Sequence, residues 1–247
     1  MNVFTANVKM ILNKTKGGTI MAKKKMSLAQ KVNVLRASVM GANDGIISVA
    51  GIVIGVAAAT SNAYSILISG LSGSLAGMIS MCMGEYVSVS TQKDSQKMAI
   101  INEKQRLSEQ YQHEFNYVQR KYEEQDIDPQ LAHQATAELM KKDPLGAVVQ
   151  ERYGFNPQDF TSPYAAAIVS FISFPTGSIL PMVAVTMAPA ADRIWATMVA
   201  VLIALLITGY LAAVLGKSNR VKSMLRNAAA GLLTMGVTFL IGQLFAR

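Results

Sequence analysis

Residues 37–60 read ASVMGANDGIISVAGIVIGVAAAT. Apart from Asn43 and Asp44, every residue in this run is apolar or small. A helix needs roughly 20 such residues, at about 1.5 Å rise each, to cross the hydrocarbon core of a bilayer. Four more runs follow. Tyr64 to about Val89 carries Glu85 as its only charge, and Tyr164–Ala188, Ile194–Leu215 and Ala228–Ala246 carry none. The expected fold is therefore an all-α integral membrane protein with five transmembrane helices. The first run is too long for a cleavable signal peptide, and no convincing small-residue cleavage site follows it.

Composition agrees. Of the 247 residues 51% are hydrophobic and 15% charged, with a mean hydropathy of +0.30; soluble domains carry roughly 25% charged residues. One cysteine excludes an intrachain disulfide and a Cys-rich zinc site. Twelve of the 15 acidic residues, and both histidines, fall between Thr91 and Phe160; only Asp44, Glu85 and Asp192 lie outside. The chain thus divides into a basic tail (1–30), two spans (31–90), a charged helical insert (91–160) and three spans (161–247). Residues 1–20 differ in character and read as an over-long start or a disordered tail ahead of Met21.

Lys23, Lys24, Lys25, Lys31 and Arg36 precede the first span, and Lys217, Arg220, Lys222 and Arg226 lie between the fourth and fifth. Cytosolic loops are enriched in Lys and Arg. Both clusters give one topology: N-terminus and insert in the cytosol, C-terminus outside. The same placement accounts for much of the net charge of +8 without nucleic acid. A bacterial plasma membrane fits the short termini, with a vacuole left open.

A carboxylate inside a span costs roughly 2.5–3.5 kcal/mol on insertion scales. Asp44 lies about 12 Å along a helix from Arg36. It reads either as a residue capped by Asn43 or a nearby Ser, or as a cation or proton site. Gly41, Gly45, Gly51 and Gly55 favour the second reading, because small residues let another backbone approach. In the second span Met78, Met81 and Glu85 share a helical face, while Met83 and Cys82 point elsewhere. Methionine is usually filler. Beside carboxylates, however, its thioether favours a middle-to-late first-row divalent ion over Mg²⁺ or Ca²⁺. Pro175, Gly177 and Pro181 are expected to interrupt the third span.

The insert is expected to hold three helices: one continuous from Thr91 to about Tyr122, one over Gln130–Met140, and one from Pro144 to Gly154. Glu103 and Glu114, eleven residues apart, would share a face of the first. Glu109 and His113 are spaced i, i+4, which can chelate a metal. Glu138 and Glu151 could complete the cluster. The alternative is a solvated charged helix.

Gly41-Ala-Asn-Asp-Gly-Ile-Ile-Ser48 and Met81-Cys-Met-Gly-Glu-Tyr-Val-Ser-Val-Ser-Thr-Gln-Lys-Asp94 resemble the vacuolar iron transporter family, including its nodulin-like and bacterial relatives. Glu138-Leu-Met-Lys-Lys-Asp-Pro-Leu145 and Ser173-Phe-Pro-Thr-Gly-Ser-Ile-Leu-Pro181 are fainter matches. The resemblance covers residues about 31–246. It implies a homodimer with five spans per chain, a cytosolic metal-binding insert, and export of Fe²⁺ or Mn²⁺ from the cytosol against protons, with Zn²⁺ a further candidate. It implies no prosthetic group. By the resemblance Asp44 and Met81 match translocation ligands, and Glu103 and Glu114 match a cytosolic glutamate cluster. This chain departs from the pattern at Gly73, where plant members carry Glu, and at Arg106 and Tyr117, where further glutamates are expected. Val148 and Arg152 also replace ligands, leaving Glu151 one position away. So depleted, the cluster would bind fewer ions, bind them weakly, or only regulate.

The reading that results is a divalent-metal transporter, with Asp44, Met81 and Glu85 lining the path and Asn43 and Met78 beside them. A membrane-anchored metal sensor or scaffold is the alternative. An intramembrane enzyme would need a nucleophile–base set, yet no span contains a histidine. A complete Gly-x-x-x-x-Gly-Lys-Ser/Thr phosphate loop is also missing: Gly216-Lys217-Ser218 has Leu211 where the loop requires its first glycine.

Overall fold

A computed structural model describes residues 28–246. The readings made for residues 1–20, and most of the basic tail, lie outside them. Among the described residues are eight helices: α1 Leu28–Ala59, α2 Ala63–Glu109, α3 Tyr111–Glu123, α4 Pro129–Lys142, α5 Pro144–Tyr153, α6 Pro163–Met187, α7 Arg193–Leu215 and α8 Arg220–Leu244. Five of them, α1, α2, α6, α7 and α8, are long and apolar enough to cross a membrane.

Side-chain caps set most helix starts. Asn62 accepts from the amides of Tyr64 and Ser65 at the head of α2, and Asn219 from Lys222 at the head of α8. Asp128, Asp143 and Ser162 cap α4, α5 and α6, each with a proline in the first turn. Both choices suit helix N-termini, where amides lack partners. Gly154 closes α5 in the left-handed region, at φ 71°.

Around α1 pack α2, α6, α7 and α8. On one side Ile46, Ala50 and Ile54 meet Val201 and Leu205 of α7 and Met235 of α8. On the other, Val49 and Val53 meet Ile66 of α2 and Phe174 and Val185 of α6. Lipid tails are as apolar as these side chains, so close backbone approach must supply much of the association. The tightest crossing is between α1 and α6. A Cβ on Gly45 would lie 2.0 Å from the Phe174 carbonyl oxygen, and one on Gly177 would lie 2.0 Å from that of Ala42. This reciprocal contact brackets Asn43 and Asp44.

The prolines of α6 do not interrupt it: the helix runs unbroken from Pro163 to Met187. Ser173, Thr176 and Ser178 donate to the carbonyls of Val169, Ile172 and Pro175. Ser178 also meets Ser74 of α2 across the interior, at 2.6 Å.

The insert differs from expectation in one respect. Instead of a continuous helix to Tyr122, α2 ends at Glu109 and α3 begins at Tyr111. Gln110, at φ −141° and ψ 47°, makes the turn. No Gly or Pro marks the break. Packing decides it: the turn lets Phe115 and Val118 of α3 reach Met140 of α4 and Val148 of α5, forming a second small core. The insert is thus the extension of α2 followed by three separate helices.

Candidate functional site

Two groups of polar residues follow from this arrangement, one among the spans and one in the insert.

In the spans, Arg36 Nη2 donates to Glu85 Oε2 at 3.0 Å, joining α1 to α2. Glu85 is 5% exposed, so this partner satisfies a carboxylate that would otherwise be costly to bury. The two helices form an antiparallel hairpin around the Thr60–Asn62 turn. From the Arg36–Glu85 register, two helical turns along α1 bring Asp44 level with about Gly77 of α2, roughly one turn from Met81. Asp44 is exposed on the surface of the single chain. Among the described residues its hydrogen bond is within its own helix: Ser48 Oγ donates to Asp44 Oδ1 at 2.8 Å. Asn43 turns the other way and accepts from Thr208 of α7 at 3.5 Å. Met78 and Met81 are half-buried and pack against the Val49–Val53–Phe174 core. At Gly73 the space beside the backbone is filled by Ile52. Of the residues expected to line a path, Asp44 is exposed roughly one helical turn from the level of Met81, Asn43 turns to α7, Met78 and Met81 pack against the core, and Glu85 is held by Arg36.

In the insert, Glu103 on the α2 extension and Glu114 on α3 are 0% and 1% exposed. Arg152 of α5 reaches both. Its Nη1 lies 3.3 Å from Glu103 Oε1, and its Nη2 donates to Glu114 Oε2. Glu103 Oε1 also accepts from Arg106 Nη1 at 3.2 Å and from the Tyr153 hydroxyl at 3.0 Å. Burial, and then the Glu103 hydrogen bond, hold the Tyr153 phenol above its ordinary pKa. The Tyr117 ring lies under the Arg152 guanidinium at 4.2 Å.

The other acids do not converge on this centre. Glu109 accepts from Gln105 and His113 Nδ1 sits 3.3 Å from Glu114; these two residues line an open cleft of about 580 Å³ beside the Gln110 turn. Glu151 is held by the Tyr122 hydroxyl at 3.1 Å. Glu138 is exposed on α4. Among the described residues no three His, Cys, Asp or Glu side chains of one chain are grouped to hold a metal ion. Sequence reasoning missed Arg36 as the partner of Glu85. It also treated Arg152 as a lost ligand, whereas the structure makes it the partner of both buried acids.

The sequence profile of the VIT family matches residues 35–243. The chain belongs to the VIT family. Both groups of residues fall within the matched region. Among individual VIT proteins, the chain is 34% identical over 214 residues to the vacuolar iron transporter of Acanthamoeba castellanii, covering 85% of this chain and 78% of that one. It is 30% identical over 217 residues to vacuolar iron transporter homolog 3 of Arabidopsis thaliana, covering 87% and 85%. Over 221 residues it is 31% identical to vacuolar iron transporter homolog 5 of rice, Oryza sativa subsp. japonica, covering 89% and 84%. These VIT relatives are named as transporters and not as enzymes.

Proposed function

We propose that this chain is a divalent-metal transporter that carries Fe²⁺ or Mn²⁺ out of the cytosol through a path containing Asp44 and Met81. The observation that carries the reading is the placement of Asp44: a carboxylate part-way along a span, beside the Gly45–Gly177 crossing, exposed on the single chain and roughly one helical turn from the level of Met81. A carboxylate left facing lipid would be costly, whereas one facing a water-lined path can take and release a cation. The names of the VIT relatives support iron. Carboxylates that release metal can take protons, which supports exchange against protons. The basic clusters of the sequence support a cytosolic N-terminus and insert, with the C-terminus outside.

Flux by purified protein in liposomes, comparing Fe²⁺, Mn²⁺ and Zn²⁺ across a pH gradient, tests this reading. Metal uptake coupled to proton movement is expected. A scaffold or sensor would give no flux, and flux indifferent to the gradient would remove the proton.

Leucine in place of Met81 keeps volume and removes the sulfur, so packing should change by less than about 1.5 kcal/mol. Met81→Leu should therefore insert and fold normally but carry Fe²⁺ several-fold more slowly, with lowered preference for Fe²⁺ over Mg²⁺. Unchanged rate and selectivity in the same flux assay would place Met81 in the core alone.

A homodimer completes the reading. α2 leaves Ser72, Ala76, Ser80 and Gly84 exposed at four-residue intervals, a pattern of small side chains that admits a second helix. A Cβ on Gly84 would meet no atom of its own chain within 4 Å. Gly84→Leu should therefore spare the single-chain fold but break the dimer, and flux should fall at least about tenfold. Light scattering in detergent reads the mass; a dimer that survives the substitution would move the seam elsewhere.

A further inference from the structure

Buried carboxylates need a cation, and in this insert the chain supplies its own. Glu103 and Glu114 come from two different helices and are both buried, with Glu114 bordering the cleft of Glu109 and His113. Left unpaired, the two charges would repel each other and could not be solvated. Arg152 lies between them, 16% exposed, with one nitrogen directed at each. Its guanidinium fork suits this bridging in a way that a single ammonium does not. The Tyr117 ring beneath it adds a cation–π contact. Arg106 provides a second positive charge on Glu103. The centre therefore holds two carboxylates and two guanidiniums, and its formal charge is zero.

We propose that Arg152 is a resident cation that keeps this centre closed to divalent metal, so that α5 is fastened to α2 and α3 whether or not metal is present. A divalent ion entering here would have to expel a guanidinium already bound to both acids. The one buried carboxylate oxygen left without a partner among the described residues, Glu103 Oε2, is a single ligand, whereas divalent ions in proteins take about four or more. Glu103 stands about 33 Å along α2 from Met81 on the same unbroken helix. The clamp is thus a fixed bracket on the end of a span and not a loading site. This inference rests on the transporter reading only for the choice of ion; flux in liposomes judges that reading separately.

Hydrogen exchange on the full-length protein in detergent, with Mn²⁺ or with a chelator, tests the proposal. The measurement is repeated in an Asp44→Asn background, to remove any contribution from the spans. In the parent, exchange around Glu103, Glu114 and Arg152 should differ by less than about twofold between the two conditions, since a ligand that does not bind shifts nothing. Arg152→Gln should speed exchange there by at least about tenfold with chelator, because removing one partner of a buried pair leaves charge uncompensated. Mn²⁺ should then slow it again as the freed carboxylates accept the ion. Arg152→Lys keeps the charge and should stay insensitive to Mn²⁺. Parent protein protected by Mn²⁺ around Glu103, with the protection lost in Glu103→Gln, would overturn the proposal. So would an Arg152→Gln protein that folds and ignores Mn²⁺. If Arg152→Gln cannot be recovered, the parent and Arg152→Lys decide: Mn²⁺ protection at the insert in either overturns it, and indifference in both upholds it.

Discussion

Asp44→Asn should insert, fold and reach the membrane, and its metal flux should fall to background, at least about 10²-fold. Residues that merely support a metal ligand typically cost 10–100-fold when removed, so loss of the charged ligand itself should cost no less. Asn keeps the shape and can still accept from Ser48, the one side chain among the described residues that hydrogen-bonds Asp44. No ion-pair partner is stranded by the change, unlike at Glu85, whose substitution would leave Arg36 without its carboxylate. Thermal stability should stay level or rise slightly, because a costly intramembrane charge is lost. Flux in liposomes together with the melting curve separates the outcomes. Wild-type flux would make Asp44 structural and move the path elsewhere.

Gly45→Ala should prevent recovery of stable protein. The added methyl would sit 2.0 Å from the Phe174 carbonyl oxygen, 3.0 Å from its carbon and 3.2 Å from the Ser178 nitrogen. All three are backbone atoms of α6, so no rotamer change relieves the contact. The helices must separate, which loosens the reciprocal Gly177–Ala42 contact and the Ser74–Ser178 hydrogen bond together. Overpacking in well-packed interiors typically costs about 1–3 kcal/mol, and a backbone clash of this depth should exceed that range. Gly236→Ala in α8 is the control. An added Cβ there meets no atom within 4 Å, and alanine is favoured over glycine in a helix by about 1 kcal/mol. Size-exclusion profiles and melting temperatures should show the first variant aggregating and the second unchanged or stabilised. A well-behaved Gly45→Ala protein would mean that the α1–α6 crossing is slacker than its geometry indicates.

The five spans were legible because a bilayer imposes one coarse demand, a long apolar run, that each segment meets by itself. Asp44 was legible for the same reason: in such a run a lone carboxylate stands out. The starts of α4, α5 and α6 could be read from Asp128-Pro129, Asp143-Pro144 and Ser162-Pro163, since capping is local chemistry. Pro175 and Pro181 misled because a proline's effect depends on what surrounds it. Here α6 stays helical, packed against α1 and α2.

What the chain determined by itself, then, was the five spans, several helix caps and the place of Asp44 along its span, all properties of contiguous residues. What only the tertiary structure decided was which charges meet. Arg36 and Glu85 are 49 residues apart and become partners through the antiparallel hairpin of α1 and α2. Glu103 and Glu114 make the point most clearly. On one continuous helix, eleven residues would separate them by about 16 Å, too far for a single side chain to bridge. They share Arg152 because the chain turns at Gln110, where no residue type announces a turn, and it turns there because the apolar faces of α3, α4 and α5 close on one another. Pairing at a distance follows from packing, and packing depends on all the faces at once.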